Sequence, residues 1–342
     1  MLEGKNILII SVQFFNYENL IKSQLETMGA TVDLFDERPS NTFFTKAIIR
    51  IKKEFIKKKI NQHFKSIIQK IKQKKYDYFL LIKGEATPAF FLDFLRSNYP
   101  QIHLIYYTYD SIKNNSNGLS ILHYFDSKFT FDNYDALQYK MKFRPLFFSK
   151  DYQTLSYRPA VLKYDVAFIG TAHSDRYTIS EKVRQFCQKH KLKMFCFYFS
   201  PSKTLFKFKQ LTDTNFKGFD IKKVSFTSLT HNQIIDLYAD SKVILDINHP
   251  GQNGLTMRTF ETLGAGRKLI TTNPEVRNYS FYDPQNISII DRSKVVVEDS
   301  FFKTEFKPID EETINRMSLE GWIKEVFELT SPLFLKPLYR KK

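Results

Sequence analysis

SKVILDINHPGQNGLTMRTFETLGAGRKLITTN, residues 241–273, is the stretch from which the rest of the chain can be read. Val243, Ile244, Leu245 and Ile247 make a short apolar, β-branched run of the kind buried in a parallel sheet. The turn at 249–254 contains a Pro and two Gly, so it continues neither a strand nor a helix. Residues 255–263 have helical spacing and stop at Gly264 and Gly266. Another strand begins at 268–271, which makes the unit β-loop-α-β.

A helix starting near Leu255 leaves the backbone N–H groups of Leu255, Thr256 and Met257 without intrahelical partners. Such an end attracts phosphate through its free donors and the positive end of the helix dipole. Gly254 has no side chain to obstruct an anion, and Arg258 adds a charged partner for a phosphate oxygen. Glu261, three residues on, shares a helical face with Arg258 and suits a pair of sugar hydroxyls. The same spacing also describes an ordinary surface pair worth a few tenths of a kcal/mol. The Gly-rich entry and exit favour the ligand site.

These residues resemble the donor-binding segment of GT-B glycosyltransferases, in which a Glu, seven residues and a second Glu precede a small-residue turn. Gly254 falls on that family's glycine, Glu261 on its second Glu, and Gly266 on the glycine closing the helix. Asn253 stands where the first Glu belongs, which leaves that carboxylate's contact, and the retaining chemistry that often accompanies it, unassigned. The pattern R-x-F-E-x-x-x-x-G is most similar to the branch holding CgeB-like and capsule or lipopolysaccharide glycosyltransferases. The resemblance implies two Rossmann-like domains facing across a cleft, with a C-terminal helix returning to the N-domain. It also implies transfer of a sugar from a nucleotide-sugar donor to a hydroxyl of a glycan or lipid-linked glycan. The family usually works without a metal, and the sequence has no D-x-D.

The 342 residues suit two domains, and 34 Phe and 19 Tyr are ample for two cores. Two cysteines are too few for a disulfide framework and suit a reducing compartment. No run reaches transmembrane length, and the apolar start is too short for a signal segment, so a cytoplasmic protein is expected. The net charge of +16 implies an anionic partner without choosing among nucleotide-sugar, membrane lipid and nucleic acid.

From the N-terminus, an apolar run at 7–12, a helical pattern at 17–28 and a second run at 31–35 open a doubly wound α/β domain. The loop SVQFFNYEN after the first strand has no G-x-G-x-x-G, so the dinucleotide fingerprint is absent there, while an acceptor or sugar site remains open. At 46–75, Ile48, Ile51, Phe55, Ile56, Ile60, Phe64, Ile67, Ile68 and Ile71 form one apolar stripe. Ten lysines between Lys52 and Lys75 fill the rest of this predicted long helix. They are either solvated or face an anionic membrane at about 1 kcal/mol per residue. Nucleic acid is not expected, because aromatic platforms and Gly-rich RNA motifs are missing.

Strands at 78–82 and 102–107 end at Glu85 and Asp110, where open α/β sheets bind ligands, so either is a candidate general base. Lone acids after strands are also common turn residues. Strands at 128–131 and 143–148 complete an acceptor domain over 1–150, and a linker is expected at 151–159. A strand at 164–169 opens the second, nucleotide-sugar domain, 160–306. Its loop, Gly170, Thr171, Ala172, His173, Ser174, Asp175 and Arg176, matches the family loop lying against donor phosphates. Gly170, Thr171, His173 and Arg176 are therefore donor-site candidates. Residues 307–342, with an apolar stripe at 311–329, are expected to form the returning helix.

The leading expectation is thus a metal-independent hexosyl- or pentosyltransferase of bacterial surface polysaccharide synthesis. It would bind a nucleotide-sugar and no other cofactor, in the cytoplasm or at the inner face of the cell membrane. The alternatives are a non-catalytic nucleotide- or glycan-binding protein on the same scaffold and a basic RNA- or membrane-binding module.

Overall fold

A computed structural model describes residues 2–157, 162–216 and 218–330. The expectations for Pro159 and for 331–342 lie outside them, as do those for the side chains of Ile51 and Lys52. The described chain divides into two compact units, one of residues 2–145 and 319–330 and the other of residues 146–318.

The strands of the first unit are β1 (Asn6–Ser11), β2 (Thr31–Asp36), β3 (Tyr78–Ile82), β4 (His103–Thr108), β5 (Ser127–Thr130) and β6 (Lys142–Phe143). The second unit holds β7 (Tyr164–Thr171), β8 (Met194–Phe199), β9 (Val224–Ser225), β10 (Ser241–Asp246), β11 (Lys268–Thr271) and β12 (Ile287–Ile289). Each set forms one parallel sheet, in the orders β2-β1-β3-β4-β5-β6 and β12-β11-β10-β7-β8-β9. In the second unit's own count the order is 3-2-1-4-5-6, that of a Rossmann fold, and it reverses between β7 and β10. In the first unit it reverses between β1 and β3.

Burial on both faces explains the continuous apolar runs, since Ile7, Leu8, Ile9 and Ile10 are all inaccessible to solvent. The first core gathers Leu8, Ile10, Phe64, Phe79, Leu81 and Phe91. The second gathers Val166, Phe168, Val183, Phe206, Leu245 and Ile270. Each such side chain contributes about 1.5–3 kcal/mol of transfer free energy.

The expected long helix at 46–75 is instead two helices, Phe43–Lys52 and Lys57–Ile71, joined by a 3-10 turn at Lys53–Ile56. Phe55, expected on the apolar stripe, lies in that turn and is 74% exposed, and the Lys53 ammonium reaches Asn117 Oδ1. Ile60, Phe64, Ile67 and Ile71 are buried beyond the turn, while Lys57, Lys58, Lys59, Lys65 and Lys70 remain exposed.

Three further boundaries differ from expectation. The run at 143–148 pairs in the sheet only through Lys142–Phe143, and Phe148 instead makes a lone parallel bridge to Ser318 in the second unit. Part of the presumed linker is a helix of that unit, Lys150–Leu155, with Tyr152 and Leu155 buried. The final stripe is two helices, Glu311–Met317 and Leu319–Val326, because Ser318 is extended and its neighbour Met317 accepts the Phe148 N–H at 3.0 Å. Only Leu319–Val326 belongs to the first unit, where Trp322 is fully buried with its ring 4.7 Å from that of Tyr107. Arg144 and Glu325 form a buried ion pair beside it at 2.8 Å.

Candidate functional sites at the two sheet ends

In the second unit, the donor candidates collect at the carboxyl ends of β7 and β10, where the strand order reverses. The helix entered from the Gly-rich turn is Met257–Gly264, two residues later than the sequence suggests, with Thr256 at its N-cap. Its end is closed by Gly266 at φ 64°, and a Cβ on Gly264 would lie 2.5 Å from the Phe148 ring. The turn before it is fixed by Asn273, whose amide donates to Asn253 O at 2.9 Å and to Gly254 O at 3.4 Å. Leu255 is buried.

An N-cap threonine ordinarily accepts a first-turn N–H. Thr256 Oγ1 makes no such bond and donates instead to Asp246 Oδ2 at 2.7 Å. Asp246 is fully buried at the end of β10 and also accepts from Thr259 Oγ1 at 3.4 Å. Arg258 Nη1 stands 3.7 Å from Asp246 Oδ1, and neither Arg258 Nε nor Asp246 Oδ1 has a hydrogen-bond partner among the described residues. The Arg258 side chain keeps 21% of its surface open. Burial works against its charge, but Tyr238, Asp246 and Glu261 outweigh that and hold the guanidinium firmly protonated. Glu261 is itself buried, with the Tyr238 hydroxyl 3.5 Å from its Oε2.

The loop after β7 comes to the same place. A Cβ on Gly170 would press on the Phe168 ring at 2.7 Å and approach Arg176 Nη1 at 3.4 Å. Arg176 donates from Nε to Ile247 O at 2.9 Å and from Nη1 to Thr171 O at 3.3 Å, so it ties the β7 and β10 loops together. Burial and the neighbouring Arg258 pull its pKa down to about 10. The ring of His173 lies 5.8 Å from that of His249. Burial, with Arg176 and His249 close by, lowers the His173 pKa to about 3, so the imidazole is neutral.

Arg292 completes the group and is absent from the sequence reading. It donates to both oxygens of Asp175 at 2.8 Å, and to Asn248 O at 2.5 Å and Asn248 Oδ1 at 2.6 Å. The signal for it was available, since it follows the strand Ile287–Ile289 by three residues. Three arginines, Arg176, Arg258 and Arg292, meet three carboxylates, Asp175, Asp246 and Glu261, at this sheet end.

In the first unit, Glu85 and Asp110 are brought together by one lysine. Lys83 Nζ is 2.8 Å from Glu85 Oε2 and 3.4 Å from Asp110 Oδ2. Arg38 Nε donates to the other Glu85 oxygen. Burial raises the Glu85 pKa, but Arg38 and Lys83 reverse this and keep the carboxylate ionised. A buried carboxylate held by two cations is a poor proton acceptor; Asp110, with 34% of its side chain open, is the accessible acid. Glu37 was also missed as part of this cluster. Its Oε1 accepts from Ala86 N, Thr87 N and Thr87 Oγ1 at 2.7–2.9 Å, while burial and Glu85 push its pKa up.

Among the described residues, no three His, Cys, Asp or Glu side chains are grouped to hold a metal ion. No described helix is long and apolar enough to cross a membrane. A surface groove of the first unit, lined by Lys5, Tyr78 and His103, lies at the amino-terminal edge of its sheet, opposite the candidate residues.

No protein-family model matches the sequence, and no curated protein matches it. Solved structures do match along nearly the whole chain. HepE (Alr3699) of Anabaena, in complex with UDP and glucose, has a TM-score of 0.59 at 10% identity, over 95% of this chain and 99% of that one. The lipopolysaccharide outer core galactosyltransferase WaaB has a TM-score of 0.52 at 12% identity, over 95% and 99%. The chain has the GT-B fold. The GT-B fold alone does not name a reaction. The UDP-GlcNAc 2-epimerase of Methanocaldococcus jannaschii also matches, with a TM-score of 0.52 at 11% identity, over 95% and 99%.

Proposed function

We propose that the protein is a glycosyltransferase that moves a hexosyl or pentosyl group from a nucleotide-sugar to a hydroxyl of a glycan. The carrying observation is at the β7/β10 end of the second sheet. There the incompletely bonded Arg258 guanidinium stands at the start of a helix whose first turn lacks a side-chain cap. A diphosphate leaving group gains negative charge as the glycosidic bond breaks, and preorganised donors stabilise that charge without reorganising. In this reading Arg258 and the first-turn amides meet the diphosphate. Arg176 and Arg292, whose donors are spent on the protein, position the surrounding loops. Glu261 is assigned to the ribose hydroxyls, and Gly170, Thr171 and His173 to the loop against the phosphates. The leaving-group charge is met by arginine and amides, so the proposed reaction needs no metal.

Asp110 is the proposed base for the acceptor hydroxyl, and Glu85 holds Lys83 in place beneath it. The acceptor class follows from the sequence resemblance to capsule and lipopolysaccharide enzymes and is a glycan, free or lipid-linked, made in the cytoplasm. The exposed lysines of Lys57–Ile71 suit an anionic membrane surface at the inner face of the cell membrane. Incubation with a panel of nucleotide-sugars and oligosaccharide acceptors tests the activity. Transfer with release of nucleoside diphosphate is expected; binding without turnover would make this a non-catalytic relative, and epimerised donor without transfer would make it an epimerase.

A further inference from the structure

The loop after β1 carries two largely exposed phenylalanines. Phe14 is 42% exposed and Phe15 67% exposed, although both rings also lie against Tyr17 of the following helix, at 6.1 and 6.4 Å. Phe15 and Asn16 are consecutive residues with φ of 51° and 66°, left-handed conformations that a bulky side chain rarely adopts. Exposed aromatic surface on a strained backbone is the pattern of a ligand contact rather than of packing. The place agrees, because the loop leaves the carboxyl end of β1, beside the reversal between β1 and β3.

The two rings are held in a defined arrangement. Phe14 stacks on Tyr109 with centroids 5.3 Å apart and planes 21° apart, and Phe15 meets Phe14 edge-on at 4.7 Å. Glu18 accepts the Phe14 N–H at 3.2 Å and fixes the loop from below. Tyr109 precedes Asp110, so the aromatic stack adjoins the accessible carboxylate of this sheet end. The Tyr109 hydroxyl and Glu37 Oε2 are both buried without a hydrogen-bond partner among the described residues.

We propose that Phe14 and Phe15 form a stacking platform for a neutral pyranose ring of the acceptor. The C–H face of a pyranose packs on an aromatic ring, while its hydroxyls require carboxylate and amide partners at the rim, which Asp110 and the Asn16 side chain supply. Charge separates this ligand from a phospholipid or a phosphorylated sugar. Glu18, Glu37, Glu85 and Asp110 face Arg38, Lys83 and, toward Glu37, Lys53, so this end has no positive surplus to hold a phosphate. Calling the sugar an acceptor rests on the glycosyltransferase reading; the platform itself does not.

The test is saturation-transfer NMR of the full chain with methyl glycosides of glucose, galactose and N-acetylglucosamine. UDP and vesicles of phosphatidylcholine or phosphatidylglycerol are the controls. At least one glycoside should bind at millimolar concentration through its ring C–H protons. Removing both rings in F14A/F15A should weaken that binding about tenfold, and F14Y/F15Y should restore it. UDP affinity, assigned to the other unit, should be unchanged in F14A/F15A, and an unchanged circular-dichroism spectrum with a single native-like melt shows that the variant is folded. Absence of binding by all three glycosides, binding indifferent to the two rings, or vesicle binding that requires them would each overturn the platform. Failure of UDP to bind the native protein would count against the glycosyltransferase reading and leave the glycoside result to decide the platform by itself.

Discussion

Arg258 and Asp246 face each other at 3.7 Å, too far for a hydrogen bond, and each keeps a buried polar atom without a partner among the described residues. The pair is neutral as it stands, but the carboxylate is poorly placed to saturate the guanidinium. An incoming diphosphate can complete the arginine, and it must do so against the field of Asp246. Asp246→Asn keeps an oxygen for the Thr256 hydroxyl and removes that field. Loss of the counter-charge should lower stability by about 1–3 kcal/mol, less than for a fully buried pair because Arg258 is partly open. Bound UDP should then raise the melting temperature of the variant more than that of the native protein. An equal UDP shift in both would show that Asp246 does not oppose the phosphates.

Arg258→Ala should lower turnover much more than it lowers stability. One charge-assisted contact to the leaving group is worth roughly 2–4 kcal/mol at the transition state, or about two to three orders of magnitude in rate. Glu261→Ala should instead raise KM with a smaller fall in kcat, because ribose contacts exist before and during the reaction. Steady-state kinetics of the two variants separate these outcomes. Near-native constants in both would make the pair structural.

The two acids on Lys83 should part company under substitution. Glu85→Gln leaves buried Arg38 without its counter-charge and Lys83 with Asp110 alone, and should destabilise by about 3–5 kcal/mol. Asp110→Asn should change stability by less than about 1 kcal/mol and cost about two to four orders of magnitude in turnover. Denaturant melts beside rate measurements check both. A stable, inactive Glu85→Gln beside an active Asp110→Asn would reverse the assignment.

Acid stability should carry the mark of His173. Its folded pKa of about 3 lies below the ordinary 6.5, so below pH 6.5 the unfolded chain takes up a proton that the folded chain does not. Stability therefore falls as pH drops from about 6.5 toward 3. Between pH 7 and pH 5 this one group accounts for roughly 1–2 kcal/mol. His173→Gln removes the titration, and its stability-versus-pH curve should be flatter over that window by the same amount. Parallel curves would mean that the imidazole titrates normally in the folded chain.

Much of the architecture was legible because parallel strands buried on both faces have to be apolar runs. The runs beginning at Ile7, Thr31, Tyr78 and Val243 lie in strands, and the Pro- and Gly-rich turn before Arg258 announced the helix start. The errors arose where one residue overrides a period. Phe55 turns out of the expected stripe in a 3-10 turn, and Ser318 gives up its helix to pair with Phe148. The candidate residues were legible as positions, since each follows a strand, but not as networks. Nothing in the sequence says that Arg176 spends its donors on carbonyl oxygens, that Arg292 joins Asp175 to Asn248, or that Glu85 is clamped while Asp110 is open. Those facts depend on which loops the strand order makes neighbours.

The central claim is that the second unit binds a nucleoside diphosphate sugar through Arg258. A thermal-shift screen of nucleotide-sugars against the native protein and Arg258→Ala tests it most directly, because a ligand that binds only the folded state raises its melting temperature. The account predicts a concentration-dependent rise for at least one donor with the native protein, and little or none with the variant. No rise with any donor, or an equal rise in both proteins, would contradict it.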